Sequence, residues 1–454
     1  MKNHYRWMRG ILFAGAMALL LSCGGGGSGG GSAGSLGGIA GSGVTGSGSD
    51  SPAGTGTGTD GTGGTSGTGT AGGSTDGTST AGNGSDDGSG VGSGGTGVST
   101  ADATGIGSVG GLGSIILNGV RYNTDAATTS LEDATELQIG MSVRIAGKID
   151  SEFTAATAQQ VDSAAELRGA VSAINVADGS FVVMGTTVTI DNATVWSGAN
   201  SLAQVVAGSV VQVWGLPSAP GTLRATRVEL KPASAEPLAT GVVQNLVPGQ
   251  QFTLGQLTVR YGGAAFSGGI DASTLAEGAI VRVRGSAAPA AGLFTATKVQ
   301  GWYAVPTQNT AAVQLAGVVT NYVALGDFKV LGTAIDASNA LVTGGLSSSI
   351  GDGVKVELDG FMTNGVLVVK KLRIRYVPGT GGPVAFTLIG AIGNYLSPSS
   401  FVVKGQRVDA SGLTNDDFEN GTAADLANGR RVTVVGNTVV DGVLTAQTVS
   451  FLPP

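Results

Sequence analysis

Five times after residue 105 the chain spells one short signature: a glycine, two residues, two apolar residues on alternate positions, and a second glycine. The copies are Gly140–Gly147, Gly208–Gly215, Gly278–Gly285, Gly353–Gly360 and Gly429–Gly436. They recur roughly every 70–75 residues, which suits a small domain better than one thin solenoid coil. Any fold for this chain must therefore be built five times over, from a unit that closes its own core.

Each signature has companions. Upstream lies an apolar residue four before a glycine, at Ile115…Gly119, Phe181…Gly185, Phe328…Gly332 and Phe401…Gly405; Phe252…Gly255 is one residue shorter. Earlier still, Gly169, Gly241, Gly317 and Gly390 open small, β-branched stretches. Downstream, a small residue precedes an aliphatic one by three, as in Ala158…Val161 and Ala446…Val449. All these segments alternate with period two and are rich in Val, Ile, Phe and Thr, the mark of half-buried strands. Asn118-Gly119, Asp178-Gly179 and Asp441-Gly442 supply hairpin turns. The stretch Leu202–Val205 before the second signature predicts a helical turn. Five strands with a short turn before the fourth predict a small closed β-barrel of the OB type, the alternative being a β-sandwich. The chain thus reads as all-β, with five tandem OB-like barrels at 105–167, 168–237, 238–313, 314–383 and 384–454. Strand parity puts Val211 and Val213, and their equivalents, inside and Trp214 outside.

The N-terminal part differs. Residues 1–10 carry Lys2, Arg6 and Arg9, residues 11–21 are apolar, and Ser22-Cys23 follows. This pattern predicts an export leader at 1–22, too short for a membrane span. Leu20-Leu21-Ser22-Cys23 resembles the lipobox of bacterial lipoproteins, which implies lipid on Cys23, a membrane as partner and the cell envelope as location. Gly24 rather than Asp after the cysteine resembles the default for the outer membrane. Residues 24–104 are almost wholly Gly, Ser, Thr, Ala and Asp and predict a disordered tether. As a flexible coil its ends would lie roughly 50 Å apart.

His4 and Cys23 are the only histidine and cysteine. Without the leader and with Cys23 acylated, no imidazole or thiol remains for a nucleophilic triad or for a zinc site. The formal charge of -7 becomes more acidic without the leader, which argues against nucleic acid as a partner.

The segment containing GSIILNGVRYNTD and LQIGMSVRIAG resembles a family of tandem repeats known only as a domain of unknown function, found in bacterial secreted proteins and lipoproteins. The other four copies are similar to it, so that the resemblance covers about residues 105–454. It implies an OB-like barrel and brings neither activity nor site residues.

The candidate site residues are few. Trp214 is matched in the other copies by Ala146, Arg284, Asp359 and Val435, a row too mixed for one shared ligand and better suited to contacts between barrels. Trp302 and Tyr303 sit at a domain boundary and read either as a plug between barrels or as a surface for stacking sugar rings. Lys370-Lys371 with Arg373 and Arg375 is the one local basic cluster, read as a solvated edge strand or as a contact for anionic glycan; Lys371, Arg373 and Arg375 would share a face. Asp416, Asp417 and Glu419 are hard-oxygen candidates for calcium. Glu132-Asp133 reads as an exposed acidic pair. No catalytic residue or cofactor is expected. The sequence reads as a tethered, non-enzymatic structural, adhesive or interaction protein with barrels in a row; the alternative is a polysaccharide- or peptidoglycan-binding lipoprotein, and a carboxylate-pair hydrolase ranks below both.

Overall fold

The computed structural model describes residues 100–453. The leader, Cys23 and most of the expected tether lie outside them. The described residues are all-β, with four 3-10 turns as their only helical elements.

Repeat 2 shows the common plan. Its first strand is Leu167–Asn175, its second Ser180–Val183 and its third Thr186–Thr189, continued by Val195–Ser197. The expected turn follows as Leu202–Gln204, then the fourth strand Val210–Pro217 and the fifth Thr222–Lys231. The first three strands pair antiparallel in sequence. The third strand and its continuation run parallel to the fifth. The fourth pairs antiparallel with both the fifth and the first, which closes the ring. The same ring forms in repeat 1, repeat 3, repeat 4 and repeat 5. In repeat 3 the fifth strand is interrupted, as Leu293–Thr295 and Lys298–Gly301. Repeat 1 begins at Thr100, so residues 100–104 belong to a strand and not to the tether.

Alternation fills each interior. The two apolar signature residues are fully buried in every copy: Val143 and Ile145, Val211 and Val213, Val281 and Val283, Val356 and Leu358, Val432 and Val434. The turn between second and third strands explains the upstream glycine. Asn118-Gly119, Met184-Gly185, Leu331-Gly332 and Lys404-Gly405 all take positive φ at both positions, the type I′ turn whose twist matches a hairpin. In repeat 3 the glycine, Gly255, occupies the first turn position instead of the second, hence the shorter spacing.

The two signature glycines do different jobs. The first takes φ between 81° and 87° in all five copies. Its N–H donates to a first-strand carbonyl: Gly140 to Val109, Gly208 to Val171, Gly278 to Val243, Gly353 to Val319 and Gly429 to Ile392, at 2.8–2.9 Å. That first-strand residue donates back to the residue after the glycine, as Val109 does to Met141. This clasp sits where the first strand leaves its pairing with the fourth and bends to pair with the second. The second glycine lies where fourth and fifth strands cross closely. A Cβ there would fall 2.0 Å from the Thr157 carbonyl oxygen at Gly147, 2.2 Å from that of Val368 at Gly360 and 2.2 Å from that of Thr445 at Gly436.

The bend has a consequence for the assembly. Before it, one edge of the first strand has no partner within its own barrel, and another repeat covers it. Residues Ala103–Ile106 of repeat 1 run parallel to Ala312–Leu315 of repeat 4. Leu167-Arg168 of repeat 2 pair antiparallel with Leu238-Ala239 of repeat 3. Gly111-Leu112 of repeat 1 pair with Thr387-Leu388 of repeat 5, and Trp196 of repeat 2 pairs with Val440 of repeat 5. The expected arrangement in a row is therefore corrected: repeat 1 contacts repeats 4 and 5, distant in sequence, because uncovered strand edges seek partners. The described residues all belong to one compact unit.

The glycine roles make a graded prediction. Gly429→Ala meets no atom within 4 Å and bears only the left-handed backbone penalty, about 1–2 kcal/mol. Gly360→Ala drives a methyl into the Val368 carbonyl and should cost about 3 kcal/mol. Urea unfolding of the two variants checks the order; equal losses would refute the assignment of roles.

Candidate functional site: charged junctions between repeats

The outward face of the fourth strands meets neighbouring barrels. Trp214 is 1% exposed and packs with Met141, Ala165 and Leu238, which come from repeat 1, the connection after it, and repeat 3. Of its counterparts, Arg284 and Asp359 also lie at junctions, and Ala146 and Val435 are half-buried.

The junction of repeats 1, 2 and 3 centres on Asp133. Its side chain is 2% exposed, so the reading of Glu132-Asp133 as an exposed pair holds for Glu132 and is corrected for Asp133. Arg284 of repeat 3 grips it bidentately at 2.9 and 2.7 Å. Arg168 of repeat 2 donates to the same carboxylate, as does the Ala165 N–H at 2.9 Å. Glu132 accepts from Arg284 at 3.1 Å and from Gln300 at 3.0 Å. Burial alone would raise the Asp133 pKa, but the two arginines prevail and hold it at about 2.

Close by, Glu166 is fully buried between repeats 1 and 2. It pairs with Arg282 at 3.1 Å and accepts from Ser142 Oγ at 3.0 Å and from Trp302 Nε1 at 2.9 Å. Trp302, 5% exposed, is packed in the core cluster of repeat 4 and offers no sugar a face. Tyr303 is half-buried, lies 4.9 Å from the Trp302 ring and donates to the Asp162 carbonyl at 3.2 Å. Burial pushes its phenol far up, so it stays neutral. A cleft of about 380 Å³ opens beside Glu132, Arg144, Asp162, Arg282, Gln300 and Tyr303. Near neutrality Asp133 is ionised and Tyr303 neutral, and the ion pairs join side chains of three repeats.

A second polar chain crosses from repeat 1 to repeat 4. Tyr122 donates to Gln314, Gln314 donates to Asp359 at 2.8 Å, and Arg373 donates to Asp359 at 2.7 Å. Here burial prevails: Asp359 is raised above its ordinary 3.8 despite Arg373 and Gln314.

The basic cluster is not a free patch. The strand Val366–Tyr376 is paired on both sides, so it is no edge. Arg373 serves Asp359, Arg375 pairs with Glu357 at 3.2 Å, and Lys370 and Lys371 donate to Ser151 and Glu152 carbonyls of repeat 1. The calcium candidates are not brought together. Asp417 caps a 3-10 turn by accepting from Thr414, Glu419 accepts from Ser450 at 2.5 Å, and Asp416 is exposed. Among the described residues no group of three or more His, Cys, Asp or Glu could hold a metal ion.

Sequence reasoning missed Glu166 and Arg282 and took Asp133 for an exposed acid. One signal was available for Arg282 and Arg284: with Val281 and Val283 inside, parity turns both arginines outward together. A lone Glu166 in the run Ala164-Ala165-Glu166-Leu167 was a weaker one.

The two buried carboxylates should respond oppositely to acid. Asp133 is depressed in the fold, so its contribution is whole above its ordinary 3.8 and is lost as pH falls through about 2. Asp359 is raised, so its contribution is whole at acid pH and declines as pH rises through the folded value. At neutral pH Asp133→Asn should destabilise by about 3–5 kcal/mol, the usual cost of breaking a buried pair. Asp359→Asn should lose distinctly less, because a neutral amide escapes the burial penalty. Denaturant unfolding across pH 2–7 reads both, and equal losses would contradict the assignment.

Comparison with known protein families matches a domain of unknown function (DUF5666) at residues 104–161, 168–229, 240–300 and 389–450. These are repeats 1, 2, 3 and 5; repeat 4 is unmatched yet closes the same strand ring. No curated protein matches the chain. Over half of its length carries the family's repeats, and the chain belongs to that domain-of-unknown-function family.

Proposed function

We propose that this chain is a lipid-anchored cell-envelope protein whose OB-like barrels act together as one non-enzymatic structural and interaction body. The apolar run at 11–21 ending in Ser22-Cys23 supports the anchor, and the Gly-rich stretch after it supplies reach. The observation that carries the reading is Asp133, whose one carboxylate is held by arginines from two other repeats. Charges so placed fix a geometry, and a fixed geometry is what a binding or scaffold surface needs.

Two measurements test this. Wild-type protein should fractionate with membranes and Cys23→Ala should become soluble; unchanged attachment of the variant would refute the anchor. Urea unfolding of the full chain followed by tryptophan fluorescence should show one cooperative transition. Successive separate transitions would mean independent beads, and the single-body reading would fail.

A further inference from the structure

We propose that the cleft between repeats 1 and 5 is a binding site for anionic glycan, recognised through its carboxylate or phosphate groups. The proposal rests on reading the repeats as an interaction body and gives that body a ligand class. The cleft encloses about 500 Å³ beside the strand pairing of Gly111-Leu112 with Thr387-Leu388. Arg121 of repeat 1 and Lys404 and Arg431 of repeat 5 line it. All three are exposed, and among the described residues none takes part in an ion pair or a side-chain hydrogen bond. That sets them apart from the cations at the junctions, which are taken up by carboxylates and carbonyls. Asp125 is the one carboxylate on the cleft wall.

Lys404 is the most telling of the three. It occupies the first position of the turn between second and third strands, and its stem lies across Gly390, where a Cβ would come within 3.0 Å of Lys404 Cγ. In repeats 2 and 4 the same position holds Met184 and Leu331, lying over Gly169 and Gly317. The fold asks there for a side chain that covers a glycine, which an apolar one does well. A lysine keeps the covering stem and adds a charge at the mouth of the cleft.

The lining also bears on the class of ligand. Asn123, whose amide oxygen accepts from the Asp125 N–H, keeps its amide N–H groups for sugar hydroxyls, and the Thr154 hydroxyl, which donates to Asp150 at 2.8 Å, keeps its oxygen as an acceptor. An acidic peptide would ordinarily add itself to a free sheet edge, but the barrels are closed rings and the first-strand edges are already covered. Nucleic acid would need a longer basic stripe than three side chains.

The test is titration of the purified full chain, in detergent, with oligogalacturonate and separately with polyglycerol phosphate. Binding of the first assigns carboxylate and of the second phosphate as the recognised group. Each cation removed, as Arg121→Gln, Lys404→Gln or Arg431→Gln, should weaken binding by about tenfold, as loss of a charge-assisted contact does. Lys370→Gln with Lys371→Gln should leave it unchanged. The proposal is overturned if neither polymer binds, if neutral dextran or polyglutamate binds as well, or if the triple variant binds like wild type. Because the titration is done in solution, its failure is distinct from failure of the membrane anchor or of cooperative unfolding.

Discussion

The clasp between the first signature glycine and the first strand governs the architecture. Two backbone hydrogen bonds, repeated in five copies, fix the point at which one strand changes partners. A strand that turns from its fourth-strand neighbour to its second-strand neighbour can close a five-membered ring. The same turn leaves a short edge uncovered before the bend. Unpaired backbone groups on such an edge need partners. Barrel closure and barrel association therefore have one cause.

Repeats 1 and 4 meet through parallel edges, and repeats 2 and 3 through antiparallel ones. Backbone pairing of this kind is indifferent to side chains, so it cannot by itself choose which repeat meets which. The outward residues of the fourth strands supply that choice. Trp214, Arg284 and Asp359 occupy equivalent positions and have unlike chemistry because each meets different groups: Trp214 the apolar Met141, Ala165 and Leu238, Arg284 the acids Glu132 and Asp133, and Asp359 the amide of Gln314 and the guanidinium of Arg373. Divergence at this row marks distinct contacts within one body, where five copies of a single ligand site would have kept one residue type.

Much of the fold was legible because it depends on local periodicity. Alternating Val and Ile fix strand faces, and positive φ at the hairpin and signature positions asks for glycine at intervals the eye can find. The junctions were much less so. Asp133 and Glu166 look like ordinary surface acids in the chain, and only the approach of Arg168, Arg282 and Arg284 from other repeats makes their burial tolerable. Lys371, Arg373 and Arg375 were read as solvated because their carbonyl and carboxylate partners lie on other strands and, for Lys371, in another repeat. Arg121, Lys404 and Arg431 never drew attention, since nothing in the sequence brings them near one another.

The pairing of repeat 1 with repeat 4 also bears on how such a chain reaches its final state. Lys370 and Ser151, which meet at this contact, are 219 residues apart in sequence. Contacts of such separation form late, since the intervening loop must close first. A ribosome finishes repeat 1 well before repeat 4 exists, and the edge at Ala103–Ile106 stays open in the interval. During that time the same edge of repeat 4 in a second molecule fits equally well, so the arrangement that makes the monomer compact also builds in a route to exchange between chains.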